Sequence, residues 1–501
     1  MPAVDDLTHC ASRDTIVSRC TALALALMIS GTAFSQEPDA RLKPPPSVSP
    51  EAAAALPPDS IQPKLSWETG LGKSYLIPAL EILGFQALLN AFDRQYYNSH
   101  DYNVTLSSII RNLHSGWVAD NDPFKVNQLG HPYQGSIYHG LARSAGLNYW
   151  ESLGYTFAGS LVWEIAGETT RPSKNDQIAS GIGGTFLGEA LFRMSSLVLE
   201  NADGTPKFWR ELSAAVISPS TGFNRLAFGD RFDAVFSSNG AVYYSRFSVG
   251  ASGAPISVAG ASARSGRAEA LADFSIDYGL PGQPGYNYKR PFDYFAFQAT
   301  ASTANVFENV MTRGLLLGTD YEVGRTYRGL WGLYGSYDYI SPQFFRISTT
   351  ALSLGTTGQK WFTDSIALQG TAMLGLGYAA VGTVRRIDPT DRDYHYGVAP
   401  QALLALRLIL GNKYSLDVTG REYFVTHVSA AERAGHDNIA RVDTSFTWRI
   451  HKQHAVSVKY LWNRRDASFP DIGDRTQKRA TVGIFYTLLG HDQFGATDWS
   501  K

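Results

Sequence analysis

Glu164 and Glu168 stand four residues apart in a segment of helical character, which sets two carboxylates on one helical face. Like charges at that spacing repel unless something between them compensates. Arg143, Arg171, a divalent metal or a shared proton would each do so, and each implies different chemistry. Joined by His131 and Asp176, the pair has the donor types for metal binding or general acid–base work. The competing reading is a buried ion-pair and hydrogen-bond network of Arg143, Arg171, Asn175 and Glu189 that fixes helices against each other. The network is the favoured reading, so no cofactor is expected, and a metal at Glu164 and Glu168 is the lesser alternative. His131, next to Pro132, reads as a hydrogen-bonded loop residue, and His139, eight positions on, does not share a helical face with it.

These residues belong to a dense polar run. It opens with Trp117-Val118-Ala119-Asp120-Asn121-Asp122-Pro123-Phe124 and Asn127-Gln128-Leu129-Gly130-His131-Pro132-Tyr133-Gln134-Gly135. It continues through Arg143, Gly159-Ser160-Leu161-Val162-Trp163-Glu164, Asn175-Asp176 and Gly188-Glu189. Over roughly residues 70–230 the chain resembles a bacterial family of uncharacterised exported envelope proteins that carry a domain of unknown function. The resemblance implies an envelope location and a helical domain ahead of a β-rich one; it brings no activity with it.

Other chemistry is excluded. Gly184 and Gly188, with Gly181 a turn earlier, are spaced for close helix packing, and no Lys-Ser/Thr follows to make a phosphate cradle. There is no G-x-S-x-G and no H-E-x-x-H. Both cysteines, Cys10 and Cys20, lie near the N-terminus, so no thiolate site is expected beyond them. Lys+Arg 44 against Asp+Glu 45 leaves no basic footprint for nucleic acid.

Three apolar stretches must position the polar run: Ser74 to Phe92 with Pro78 in its first turn, Leu147 to Glu168, and Asn175 to Leu199 with Asn175 as N-cap. Each approaches the length of a membrane span. Glu81, Glu151, Glu164, Glu168, Glu189 and Arg193 interrupt them, and a charge near a span centre costs about 2.5–3.5 kcal/mol. They therefore read as buried helices of a soluble or plug-like domain.

From about Val242 the period becomes two. Val442, Phe446, Trp448 and Ile450 alternate with Arg441, Asp443, Ser445, Thr447 and Arg449; Val482, Ile484, Tyr486 and Leu488 share one parity further on. Twelve segments start near 242, 268, 292, 311, 328, 344, 365, 395, 413, 439, 453 and 477. A soluble sandwich would bury the apolar face. A membrane barrel would turn it to lipid, with Tyr337, Tyr339, Trp448 and Trp462 as an interfacial girdle. Tight turns at Gly411-Asn412 and Lys452-Gln453 fall on one side and long connections at 379–394, 428–438 and 466–476 on the other, which favours the barrel, although 280–291 is long on the short side and Ser341-Pro342 short on the long side. Charged residues at only 18% agree with a lipid-facing surface.

Arg13 and Arg19 precede an apolar run from Ala22 to Ile29 and then Ala33-Phe34-Ser35, the pattern of a cleaved export signal. The whole is an α+β chain: signal peptide 1–35, Pro/Ala-rich linker 36–69, helical domain 70–235, antiparallel transmembrane β-barrel of about twelve strands at 240–490, and a tail at 491–501. The expected protein sits in the bacterial outer membrane, with the helices at the periplasmic mouth or plugging the lumen. A structural, binding or transport role is expected, with outer-membrane lipid and the barrel-assembly machinery as partners and any small ligand left open. The alternative is a lipid- or glycan-modifying enzyme using His131, Glu164, Glu168 and Asp176.

Overall fold

The computed structural model describes residues 64–499, except 98–99, 121, 202–203, 206, 254–267, 343, 383–391, 428–434, 471–472 and 492–493. The signal peptide and the linker as far as residue 63 lie outside the described residues. From Lys64 the chain is described, and Leu65 is buried against Ala142, Leu147 and Phe232.

Alternation builds the C-terminal half. Its strands are β1 (Tyr243–Gly253), β2 (Glu269–Tyr278), β3 (Phe295–Ser302), β4 (Asn309–Val323), β5 (Tyr327–Ile340) and β6 (Ile347–Thr363). They continue as β7 (Ile366–Gly382), β8 (Tyr394–Leu410), β9 (Tyr414–Val425), β10 (His436–His451), β11 (His454–Phe469) and β12 (Gly473–Leu489). Each begins within four residues of its expected start. Neighbours pair antiparallel throughout, and β1 closes on β12 with Arg246 opposite Leu489. The turns at 364–365, 411–413 and 452–453 form one rim, and the connections 341–346, 383–393 and 426–435 belong to the other. Gly411 takes φ +52° in its tight turn, a conformation that costs glycine little. One expected loop is much shorter: β11 and β12 extend until Phe469 faces Gly473, because alternation carries on through the charged residues 464–479.

Parity decides between sandwich and barrel. Arg246, Asp277, Arg407 and Asp417 point into the lumen, where they pair with one another. The alternate residues point out, and Leu374 is 72% exposed, Leu354 and Ile484 65%. A water-soluble protein would bury such side chains and expose the arginines. This wall is the reverse, an outer-membrane-type barrel with an apolar exterior and a polar interior.

The helical half comprises α1 (Leu76–Tyr97), α2 (Leu106–His114), α3 (His131–Ser144), α4 (Tyr149–Ala166), α5 (Lys174–Glu200), α6 (Lys207–Ile217) and α7 (Pro219–Phe228). A π turn at Val126–Gly130 leads into α3, and a second at Ala179–Gly183 interrupts α5. Ser173, not Asn175, caps α5: its backbone is extended and its hydroxyl accepts from Asp176 N. α3 and α5 touch at their glycines, since a Cβ on Gly184 would lie 2.6 Å from Gly135 Cα.

The expected plug is corrected by the same parity argument. The helices lie along the outer wall. Gly183 abuts Thr350 and Phe186 abuts Gly335, on the outward faces of β6 and β5. Tyr337 and Tyr339, expected in a lipid girdle, are fully covered, Tyr337 beside Gly183 and Tyr339 with its ring centroid 6.0 Å from that of Phe124. The other end of α5 reaches the opposite rim, where Arg193 bonds Asp293 at 3.0 Å and Asn201 bonds the Tyr243 hydroxyl at 3.3 Å. The helices therefore run along the wall from rim to rim and are not confined to the mouth. Nor are they all buried, since α1 leaves most of its leucines at the surface.

The C-terminal tail, not the helical domain, enters the barrel. Phe494 is buried against Tyr244, Leu280 and Leu489, and Thr497 O accepts from Gln359 Nε2 at 2.6 Å and Trp361 Nε1 at 3.0 Å.

Candidate functional site

The polar run folds around the two π turns. Val118 pairs with the residues flanking Ser173, giving Val118 N to Pro172 O at 2.9 Å and Lys174 N to Val118 O at 2.9 Å. This lays the 117–125 segment beside the start of α5. Asp120 N donates to Asn175 Oδ1 at 2.7 Å, and Asn127 Nδ2 donates to Asp120 Oδ2 at 3.0 Å. A tyrosine pair on the outward face of β8 completes the joint. The Tyr396 hydroxyl accepts from Asn175 Nδ2 at 2.7 Å and Gln128 Nε2 at 3.2 Å, while the Tyr394 hydroxyl donates to Asp122 O at 2.7 Å. Tyr378 stacks on Tyr396, with ring centroids 5.4 Å apart. Asn175 thus serves the joint with the barrel, beside Asp176 Oδ1 at 2.8 Å.

The four residues with catalytic potential lie near this joint, and His131, expected as a hydrogen-bonded loop residue, instead opens α3. His131 is buried, with Nε2 3.9 Å from Asp176 Oδ2. Glu164 Oε2 accepts from Ser173 N at 2.8 Å. Glu168 accepts from Trp163 Nε1 at 2.7 Å and from the Thr170 hydroxyl at 2.9 Å. No arginine bridges the two glutamates: exposed Arg171 donates to Gly116 O at 2.8 Å, and Arg143 goes elsewhere. Among the described residues no group of three His, Cys, Asp or Glu is arranged to hold a metal ion.

Two carboxyls in the connecting loops sit above their ordinary values. Burial raises Glu168 from 4.5 to about 7, with nearby His131 opposing the rise. Burial and the charge of Asp120 raise Asp122, with Arg392 opposing. The folded state therefore holds protons at these two groups that the unfolded chain releases at lower pH, so the stability they contribute is greatest below the ordinary carboxyl range and falls as pH rises from 4.5 towards 7. Limited proteolysis should find the helical domain more resistant near about pH 5 than near about pH 8. Equal resistance, or more at the higher pH, contradicts this.

Arg143 joins a second cluster, deep between α3 and α5. Glu189 is fully buried and accepts from Arg143 Nε at 2.7 Å, Arg193 Nε at 2.8 Å and His139 Nε2 at 3.1 Å. Arg193 continues to Asp293 and to Pro291 O at 2.6 Å, in the β2–β3 connection. The Arg143 guanidinium also lies 4.6 Å from the Phe192 ring centroid and 4.9 Å from that of Phe236. Sequence reasoning set His139 aside and missed Asp293, Tyr394 and Tyr396. The Glu189–Arg193 spacing of four was a usable signal, whereas contacts across a hundred or more residues left none.

The family model for a domain of unknown function, DUF3943, matches residues 116–220, which hold the polar run and Glu189. No curated protein matches the chain. Among solved structures it is similar to the NanC porin, at 6% identity and TM-score 0.23, over 48% of this chain and 98% of that one. The outer membrane channel DcaP of Acinetobacter baumannii matches at 9% identity and TM-score 0.22, over 50% and 96%. OmpT, an outer membrane protein of Vibrio cholerae, matches at 7% identity and TM-score 0.19, over 51% and 98%.

Proposed function

We propose that this is a non-conducting barrel of the bacterial outer membrane, serving a structural or binding role through the helices mounted on its flank. The filled lumen supports this reading. Arg407 spans it from β8, with Nε 2.7 Å from Asp417 on β9 and Nη2 2.9 Å from Asp277 on β2. Arg246 on β1 reaches Asp417 at 3.1 Å, and Lys459 on β11 reaches Asp273 on β2 at 2.6 Å. The cavity left between these groups, lined by Arg246, Asp277, Arg407 and Asp417, is about 110 Å³. The tail closes the rim below.

On this reading the rim of short turns faces the periplasm, the division usual for such barrels. The partners are outer-membrane lipid and the barrel-assembly machinery, without nucleic acid, and the role needs no cofactor. The catalytic alternative rests on His131 and Asp176, 3.9 Å apart. The partners of Glu164 and Glu168, a backbone amide, an indole and a hydroxyl, suit packing better than turnover.

The refolded full chain in a planar bilayer should show no current steps. A chain ending at Gly490 and carrying Arg407→Ala and Asp417→Ala should show them. Steps from the unaltered chain would defeat the proposal.

A further inference from the structure

Two outer helices of the helical domain are inside out. On α1, Leu80, Leu83, Leu88 and Phe92 are exposed, Leu88 at 74%. The face turned inward carries Gln86 and Asp93, both buried, with Gln86 Nε2 donating to Gly159 O at 2.6 Å. α4 repeats the arrangement: Phe157 and Leu161 face out, while Ser152, Thr156 and Glu164 are buried. A domain surrounded by water buries leucine and exposes glutamine and aspartate. On these two helices the polar groups turn to the neighbours and most large apolar side chains to the surroundings, whereas α5, against the wall, buries Phe186, Leu187, Leu191 and Met194.

Glycine and small polar contacts hold the bundle together. A Cβ on Gly188 would lie 2.8 Å from His139 Cβ, and one on Gly159 would lie 2.9 Å from the Tyr138 ring. Helices in hydrocarbon associate through such small-residue interfaces, because lipid gives apolar side chains no reason to cluster. The inverted bundle is also seated on the exterior of a barrel whose own exterior is apolar. The part of α5 beyond its π turn, Gly184–Glu200, has 17 residues, about 25 Å at 1.5 Å per residue. That equals the height of about 25 Å typical of a barrel's apolar band. α1, at Leu76–Tyr96, has the length and composition of a span and is only 22% buried.

We propose that the helical domain is immersed in the membrane beside the barrel, with the outer faces of α1 and α4 covered by lipid acyl chains as a lateral extension of the barrel wall. The proposal rests on the barrel itself being a membrane wall. It makes the Glu189 cluster the interior of an intramembrane bundle.

Three single-cysteine chains test it, Leu88→Cys, Leu161→Cys and, on the barrel wall, Leu374→Cys, each also carrying Cys10→Ser and Cys20→Ser. Each is labelled with bimane and refolded as the full chain into phosphatidylcholine vesicles whose acyl chains are brominated. All three labels should lose most of their fluorescence to the bromolipid and little to aqueous iodide. Iodide quenching at 88 and 161 with bromolipid quenching kept at 374 would overturn the proposal and leave the barrel reading intact. Iodide quenching at 374 as well would remove the barrel reading beneath it. Labels at 88 and 161 insensitive to both quenchers would assign the faces to a second copy of the chain, also overturning it.

Discussion

Glu189→Gln should unravel the helical domain and leave the barrel standing. The carboxylate is fully buried and faces two guanidinium groups and an imidazole, with Arg143 at 2.7 Å, Arg193 at 2.8 Å and His139 at 3.1 Å. Glutamine keeps the shape but removes the charge and turns an amide donor towards a donor. Breaking a buried pair by neutralising one side costs roughly 3–5 kcal/mol, because the other charge stays buried. That is comparable to the whole margin of many domains. Limited proteolysis of the refolded full chain should then cut between residues 64 and 235, while the barrel keeps its heat-modifiable gel mobility. Undiminished resistance of the helices would contradict the network. Glu164→Gln is the control: its one bond is from Ser173 N, which a glutamine oxygen also accepts, and no arginine depends on it. It should be tolerated.

Leu374→Arg should block barrel assembly. The side chain is 72% exposed near the middle of β7 and points away from the lumen. An arginine at the midplane of a lipid-facing wall costs about 2–4 kcal/mol, and much less near either interface. The measurable result is loss of the folded, heat-modifiable band and of recovery with the outer membrane. Leu374→Phe, which adds bulk without charge, should assemble. A wall facing water would accept both, so equal assembly of the two variants would refute the membrane reading.

The barrel was legible because strand parity is a local property. Phe446 and Ile484 announce an apolar face, Asp417 and Arg441 a polar one, and tight turns mark the rims. What parity leaves open is what covers an outward residue. Tyr337 and Tyr394 have the composition of a lipid girdle but are capped by α5 and the 117–125 segment, a contact set by residues more than a hundred positions away. The helices misled for a different reason: reading an apolar face as a buried face assumes water outside. For α1 that assumption places Leu88 in a core and Gln86 at the surface, the opposite of their burial. The polar site was legible as a region and not as bonds. Glu164, Glu189 and Arg143 were all singled out, yet the arginine belongs to Glu189, because α3 and α5 meet at Gly135 and Gly184 and bring those two side chains together.

The tail that closes the barrel has a mechanical consequence. It leaves β12 beside the seam with β1 and crosses the opening to β6 and β7, on the opposite side of the ring. There Thr497 and Gly495 are gripped by Gln359 and Gln369, and Trp499 Nε1 reaches Arg325 O at 2.9 Å. A strap fixed at opposite points of a hoop acts as a tie-rod: it resists flattening in one direction and carries tension when the hoop is pulled towards an ellipse. A pull that widens the ring along the line from the β1–β12 seam to β6 and β7 therefore loads the contacts with Gln359 and Gln369 on the far wall.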